Sequence, residues 1–291
     1  MKSSLKNKLS EFLFLKSLLA GAALALVTGA AAQDHGHLYI SAESKNAGTR
    51  LYFDNGSIFD APSAYVKTLV LNTNPASRFF GRYDGNITFT PRSTNILRGA
   101  DYAETAAAPG SVIHFQIMQV EGPAGGAFQY WESTGTQPAF NIPVGSGATN
   151  FVKITEALGE PNGDPYGHIH GRRFTATVPG LYRATFRASD LSTNGLSAGP
   201  IHVPSAPLQI HFQAGFSIAS IRRNNGVSTV RFGTATTHDF TVQSNTNLAS
   251  LNGWVNVAGP ARGTDYFQSV PDPVATNGMK FYRVQATLFV P

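Results

Sequence analysis

From residue 36 to residue 286 the chain is written in short runs of alternating or β-branched and aromatic residues, each cut off by glycine or proline. That punctuation limits the fold more than any other feature, because it leaves little room for long helices. Gly36 to Ala42 alternates like a strand. Leu51-Tyr52-Phe53 runs into Asp54-Asn55-Gly56, a turn signal that predicts a hairpin. Tyr65 to Leu71, Asn86 to Thr90, Ser111 to Val120 and Phe128 to Trp131 continue the series. In the run from Ser111, Ile113, Phe115 and Ile117 share one face, and His114, Gln116 and Met118 the other. Arg173 to Val178 and Tyr182 to Ala188 flank Pro179-Gly180, which reads as a second hairpin, and Pro207 to Phe212 as a further strand. Asn150 to Leu158, stopped by Gly159 and Pro161, is the one stretch read as a helix.

Composition agrees. Charged residues make up 13% of the chain, against roughly 25% in an average soluble domain, while 29 Gly and 17 Pro supply turns. Histidine usage shifts near Ala214: seven of the eight histidines precede it. The stretch beyond is a compact string of strand-like runs: Phe216 to Ile221, Val227 to Phe232, Phe240 to Ser244, Trp254 to Val257 and Phe281 to Ala286. The expected architecture is all-β, with a jelly-roll-like β-sandwich over residues 33–214 and a smaller sandwich over residues 215–291.

Residues 1–32 read as a cleavable signal peptide. Lysines come first, then an apolar stretch from Leu18 to Val27, then Ala30-Ala31-Ala32 as the small-residue cleavage site. The apolar stretch is shorter than the roughly 20 residues of a spanning helix. The expected product is periplasmic or secreted, with no membrane span after cleavage. Lys2, Lys6, Lys8, Lys16 and Glu11 all fall in this leader, and without them the net charge drops from +5 to +2. The basic balance is therefore no argument for a polyanion, and no basic run interleaved with aromatics points to nucleic acid. The chain has no cysteine. That excludes disulfide staples, a lipid-attachment thiol and thiolate zinc sites.

The chemistry with the sharpest spacing is a pair of His-x-His motifs, His35-Gly36-His37 and His168-Ile169-His170. In a strand, residues i and i+2 face the same way, so two imidazoles can reach one ion at about 2.0–2.1 Å. Two such pairs on neighbouring strands supply a four-nitrogen shell suited to zinc, with copper or nickel nearly as well served. Random placement of the histidines gives roughly 0.2 such pairs, so two pairs stand above chance. The competing reading makes these histidines surface or turn residues with local hydrogen bonds. His202, between Pro200 and Pro204, and His114, on the polar face of its run, are further candidate ligands. Asp34 and Asp164 neighbour the pairs as direct or supporting ligands, or as turn residues. His211, alternating with Gln209 and Gln213, reads as part of a solvated face, and His238 as surface.

Enzyme signatures are missing. The position where a cupin carries its ligand glutamate after His-x-His holds Phe174 or Thr175. A copper-dependent polysaccharide oxygenase needs histidine as the first mature residue, and His35 follows Asp34. There is no Gly-x-Ser-x-Gly elbow, no His-Glu-x-x-His and no phosphate loop. Catalysis is therefore not the favoured reading. Trp131 and Trp254 are candidate sugar-stacking platforms, with sheet-core packing as the alternative.

Gly36-His37-Leu38-Tyr39-Ile40, and the later Gly167-His168-Ile169-His170-Gly171-Arg172-Arg173-Phe174-Thr175 followed by Pro179-Gly180-Leu181-Tyr182, resemble bacterial surface-anchored choice-of-anchor domains. They are also similar to zinc-regulon-associated exported proteins that carry a sorting tail. The resemblance covers roughly residues 33–213 and implies an exported β domain, in some members linked to zinc or manganese acquisition. Residue by residue it reaches only His37, His168 and His170. A sorting tail is not expected here. In its place Phe240-Thr241-Val242-Gln243-Ser244, Leu248, Trp254 and Phe281-Tyr282-Arg283-Val284 resemble a small β module of exported proteins from Verrucomicrobia-like bacteria. The expected role is divalent-metal binding or buffering outside the cytoplasm. The rival is a structural or adhesive module whose partner is a cell-surface glycan or protein.

Overall fold

The computed structural model describes residues 36–289, apart from residues 169, 251 and 274–277. The expected signal peptide, Asp34 and His35 lie outside the described residues. The chain is nearly all β, as the punctuated runs require. Among the described residues no helix is long and apolar enough to cross a membrane.

Three strands form one small sheet: β1 (His37–Ala42), β2 (Leu51–Phe53) and β5 (Thr88–Pro91), with β1 central, antiparallel to β2 and parallel to β5. Nine more form a sheet in the order β8 (Phe140–Pro143), β7 (Ala127–Trp131), β10 (Arg173–Ala176), β4 (Tyr83–Gly85), β3 (Lys67–Leu71), β12 (Leu208–Ala214), β11 (Gly180–Asp190), β6 (Ile113–Glu121) and β9 (Val152–Lys153). Laid flat, β7 and β6 would stand roughly 29 Å apart at the usual inter-strand spacing. Yet the rings of Tyr130 on β7 and Phe115 on β6 lie 5.4 Å apart. The sheet therefore curls, and its two halves face each other across one core.

That core is aromatic. Phe128 stacks on Phe174 at 5.5 Å and meets Phe212 at 4.8 Å. Phe89, from the small sheet, stacks on Phe115 at 4.5 Å and reaches Phe186 at 5.0 Å, so the small sheet closes the open side of the curl. Each fully buried ring of this kind contributes about 1.5–3 kcal/mol of transfer free energy, which is how a chain without disulfides holds together. Trp131 belongs to the interior: it is 1% exposed and its indole N–H donates to Thr175 Oγ1 at 2.9 Å.

Six strands form the C-terminal part. β13 (Ile218–Asn224), β14 (Val227–Gly233) and β17 (Phe267–Asp272) make one sheet, and β16 (Val255–Arg262), β15 (His238–Asn245) and β18 (Phe281–Leu288) the other. They pack on a separate small core of Val230, Phe232, Phe240 and Val242. This part joins the rest through backbone. Val66 N–H donates to Asp265 O, Phe267 N–H to Ala64 O, and the Thr68 hydroxyl to Thr234 O at 2.8 Å. The join covers one face of β12. Gln213 is fully buried, and the His211 ring lies 5.7 Å from that of Phe267. The face read from sequence as solvated is thus covered by the C-terminal strands.

Three local expectations are corrected. Asp54-Asn55-Gly56 is not a hairpin turn, because β2 has already paired with β1. The Asn55 side chain instead clamps β1, accepting from Tyr39 N–H at 2.9 Å and donating to His37 O at 2.8 Å, and a short helix Gly56–Phe59 follows. Pro179-Gly180 does not join paired strands either: β10 lies between β7 and β4, and β11 between β12 and β6. Residues 150–158 are not helical. Val152 and Ile154 point into the core by strand alternation, and the Thr155 hydroxyl accepts from Ile113 N–H and donates to Pro165 O. Three β-branched residues in four positions favour the extended form.

Candidate metal centre

His37 opens β1. Leu38 and Ile40 turn into the core with no exposed surface, so alternation sends His37 and Tyr39 to the opposite face, their ring centroids 5.8 Å apart. The parallel pairing with β5 sets His37 opposite Thr88 and Tyr39 opposite Thr90, and Thr90 Oγ1 lies 3.5 Å from His37 Nδ1.

The second contributor comes from the loop after β5. A 3-10 segment, Ile96–Asp101, is kinked at Gly99, whose φ of 58° and ψ of −121° suit glycine. The kink turns the chain so that Ser93 N–H donates to Asp101 O at 2.8 Å, which returns the Asp101 carboxylate to the face that carries His37 and Tyr39.

The third contributor is His168, on an extended segment laid along residues 154–156. Glu156 N–H donates to Tyr166 O at 2.9 Å, and His168 N–H donates to Glu156 Oε1 at 3.0 Å. Gly167 makes this approach possible: a Cβ there would stand 1.9 Å from Ile154 O. Asp164 ties the segment to the Asp101 loop. Its carboxylate accepts from the Ser93 hydroxyl at 2.6 Å, from Thr94 N–H at 3.1 Å and from Tyr166 N–H at 3.2 Å.

Among the described residues, one nitrogen from His37, one from His168 and one Asp101 oxygen all lie within 4.8 Å of one another. Asp101 Oδ2 is 3.7 Å from His168 Nδ1, and the two imidazole centroids are 4.5 Å apart, edge to face. Four-coordinate binding at zinc-like bond lengths needs donor atoms roughly 3.4 Å apart. The Asp101–His168 pair is close to that spacing, and the His37 nitrogen lies within 4.8 Å of both. The side chains of Asp101 and His168 are 18% and 16% exposed, so the group is sheltered but open to solvent.

A phenol holds the carboxylate: the Tyr166 hydroxyl donates to Asp101 Oδ2 at 3.1 Å. Burial, then the neighbouring Asp101 charge, pushes the Tyr166 phenol up to about 12, so it remains a donor at neutral pH. Tyr39 is raised by burial and by Asp101, against the opposing pull of Arg92. The guanidinium of Arg92 lies 3.5 Å over the Tyr39 ring, and that of Arg98 lies 4.2 Å over Tyr166.

The other histidines are distributed as follows. The exposed His170 ring sits 4.4 Å from that of His168, beside the group of three. His202 is 1% exposed; its Nε2 accepts from Ala108 N–H at 2.9 Å and its Nδ1 meets Thr49 Oγ1 at 3.2 Å, so both ring nitrogens are engaged. His114 directs Nδ1 to Val112 O at 2.9 Å. Neither belongs to the converging group, and His35 lies outside the described residues. Asp101 is the contributor that sequence reasoning missed. It sits in an irregular loop with no histidine near it in the chain, so no spacing rule marks it. No protein-family model matches the chain, and no curated protein matches it.

Proposed function

We infer that this is an exported β protein that binds one divalent metal ion through His37, Asp101 and His168, with zinc the favoured ion and copper or nickel next. The observation that carries this reading is the meeting, within 4.8 Å, of three ligand-type atoms from three segments far apart in sequence. Two imidazoles and one carboxylate form a donor set suited to zinc. The clamping of Asp101 by Tyr166 matches the support that ligating carboxylates ordinarily receive. The favoured role is binding or buffering of the ion outside the cytoplasm, in keeping with the sequence resemblance to zinc-associated exported proteins. The adhesive alternative has less support, because Trp131, one of its two candidate stacking platforms, is buried.

The test is metal stoichiometry of the purified protein by plasma mass spectrometry, together with calorimetric titration of zinc. The expected result is one ion per chain, with affinity reduced at least tenfold by His37→Ala, Asp101→Asn or His168→Ala. A protein that retains its fold by circular dichroism yet takes up no zinc, copper or nickel would overturn the assignment.

A further inference from the structure

We infer that the six C-terminal strands are docked on β12 through a proton-sensitive joint centred on His211, and that mild acid releases them while both parts stay folded. This inference is independent of the metal-binding reading.

The joint is built on one face of β12. Leu208, Ile210 and Phe212 turn into the aromatic core, so alternation sends His211 and Gln213 to the other face, toward the C-terminal strands. Gly233 of β14 meets that face closely: a Cβ on it would stand 3.2 Å from Gln213 Cβ. Gly233 is in register with Phe267 of β17, and the His211 ring lies 5.7 Å from the Phe267 ring at 77°. Val230 and Phe232 face the small C-terminal core, so Arg231 shares the opposite face with Gly233, and its guanidinium lies 3.8 Å over that same Phe267 ring. From the other side, Arg183 of β11 stands directly opposite His211 in the antiparallel ladder, with Glu121 as its ion-pair partner. Guanidinium groups from two elements thus flank one imidazole. Val66 and Thr68, from the β3 side, bring no charge, and Lys67 is in register with Phe212 on the core face. The opposing charge is Asp60, whose backbone bridges to Ile210 and whose carboxylate already accepts from Ala61 N–H at 2.9 Å.

His211 Nδ1 is buried and, among the described residues, has no hydrogen-bond partner. In the neutral ring this is an idle acceptor. Protonation puts a donor hydrogen there with no acceptor to meet it, in the field of two fixed cations. Burial first, then Arg183 and Arg231, hold the His211 pKa below the ordinary histidine value, against the pull of Asp60. A ring freed by undocking titrates near about 6.5. The undocked form therefore binds more protons as pH falls, so docking is complete above that value and weakens below it, by up to about tenfold per pH unit for one proton. The hydrogen bonds that open on release include Val66 N–H to Asp265 O, Phe267 N–H to Ala64 O and the Thr68 hydroxyl to Thr234 O.

Amide hydrogen exchange of the purified protein, followed residue by residue by NMR from pH 8 to pH 5 and corrected for the intrinsic pH dependence of exchange, tests the joint. The expected result is that the Val66 and Phe267 amides lose about tenfold in protection for each pH unit below about 6.5, while the Val242 amide in the C-terminal core keeps its own. His211→Gln, which cannot take up a proton, should abolish most of that loss, and Arg231→Met should shrink it at least twofold. Wild-type protection that holds at Val66 and Phe267 down to pH 5 overturns the inference. So does an equal loss in His211→Gln, and so does a loss at Val242 in step with the other two, which marks unfolding in place of release. If His211→Gln does not fold, Arg231→Met decides alone: a loss as large as in wild type overturns the joint.

Discussion

His202 is a buried imidazole with a defined tautomer. Because Nε2 accepts from Ala108 N–H, the ring proton resides on Nδ1 and is donated to Thr49 Oγ1, whose own hydroxyl donates to the backbone oxygens of Ser44 and Asn46. Burial holds its pKa below the ordinary histidine value, against the weaker opposing effect of Asp190. The unfolded chain, titrating near about 6.5, then binds more protons than the folded one as pH falls. The stabilisation is complete above that value and is lost as pH drops through it. His114 and His211 are lowered by burial as well and act with the same sign. Denaturant melts between pH 8 and 5 should therefore show stability falling with acidity. His202→Gln should reduce stability at pH 8 by about 1–3 kcal/mol through unsatisfied buried groups and make the acid slope shallower. An unchanged slope would count against this account. The same residue shows where local reading stops. A histidine between two prolines gives no sign of whether its nitrogens will meet a metal or the chain's own backbone; that depends on Ala108 and Thr49, which the fold brings from elsewhere.

At the scale of elements, the candidate metal centre is assembled by irregular segments held against regular ones. β1 delivers His37 by simple alternation, which is why that residue was legible in the sequence. His168 was legible as half of a His-x-His pair, but its position depends on the close contact of Gly167 with Ile154 O and on the reach of Asp164 to Ser93 and Thr94. Asp164→Ala should leave the strands intact and loosen the link between the Asp101 loop and the His168 segment. The expected cost is a 10- to 100-fold loss of zinc affinity, the range for removal of a supporting partner, with the far-ultraviolet circular dichroism unchanged. Zinc affinity equal to wild type would show that the two segments hold their places without it. The strands themselves were legible because period-two patterning persists wherever one face meets a core. Their partners were not. Asn55-Gly56 and Pro179-Gly180 carry turn chemistry, but turn chemistry fixes only the local bend, and neither bend joins neighbours in the sheet. The helix expected near residue 150 failed for a related reason: a short apolar run reads alike in both periods until the neighbouring strand, here β6, selects one.

At the scale of the whole molecule, the order of strands in the large sheet departs widely from their order in the chain. Only β7 with β8, β3 with β4 and β11 with β12 are neighbours in both. β3 pairs in parallel with β12, setting Lys67 beside Phe212, so its ladder waits on a strand that lies far downstream. Closing such distant pairs costs chain entropy before any contact repays it, and all-β topologies of this kind fold over milliseconds to seconds. Stopped-flow refolding followed by tryptophan fluorescence should fall in that range or slower; a dominant microsecond phase restoring full native signal would contradict the pairing scheme. During synthesis, then, the growing polypeptide carries residues 67–71 past the ribosome with their eventual neighbour not yet made. A nascent chain in that position is poorly able to fold early, which is the state that the export proposed above would need.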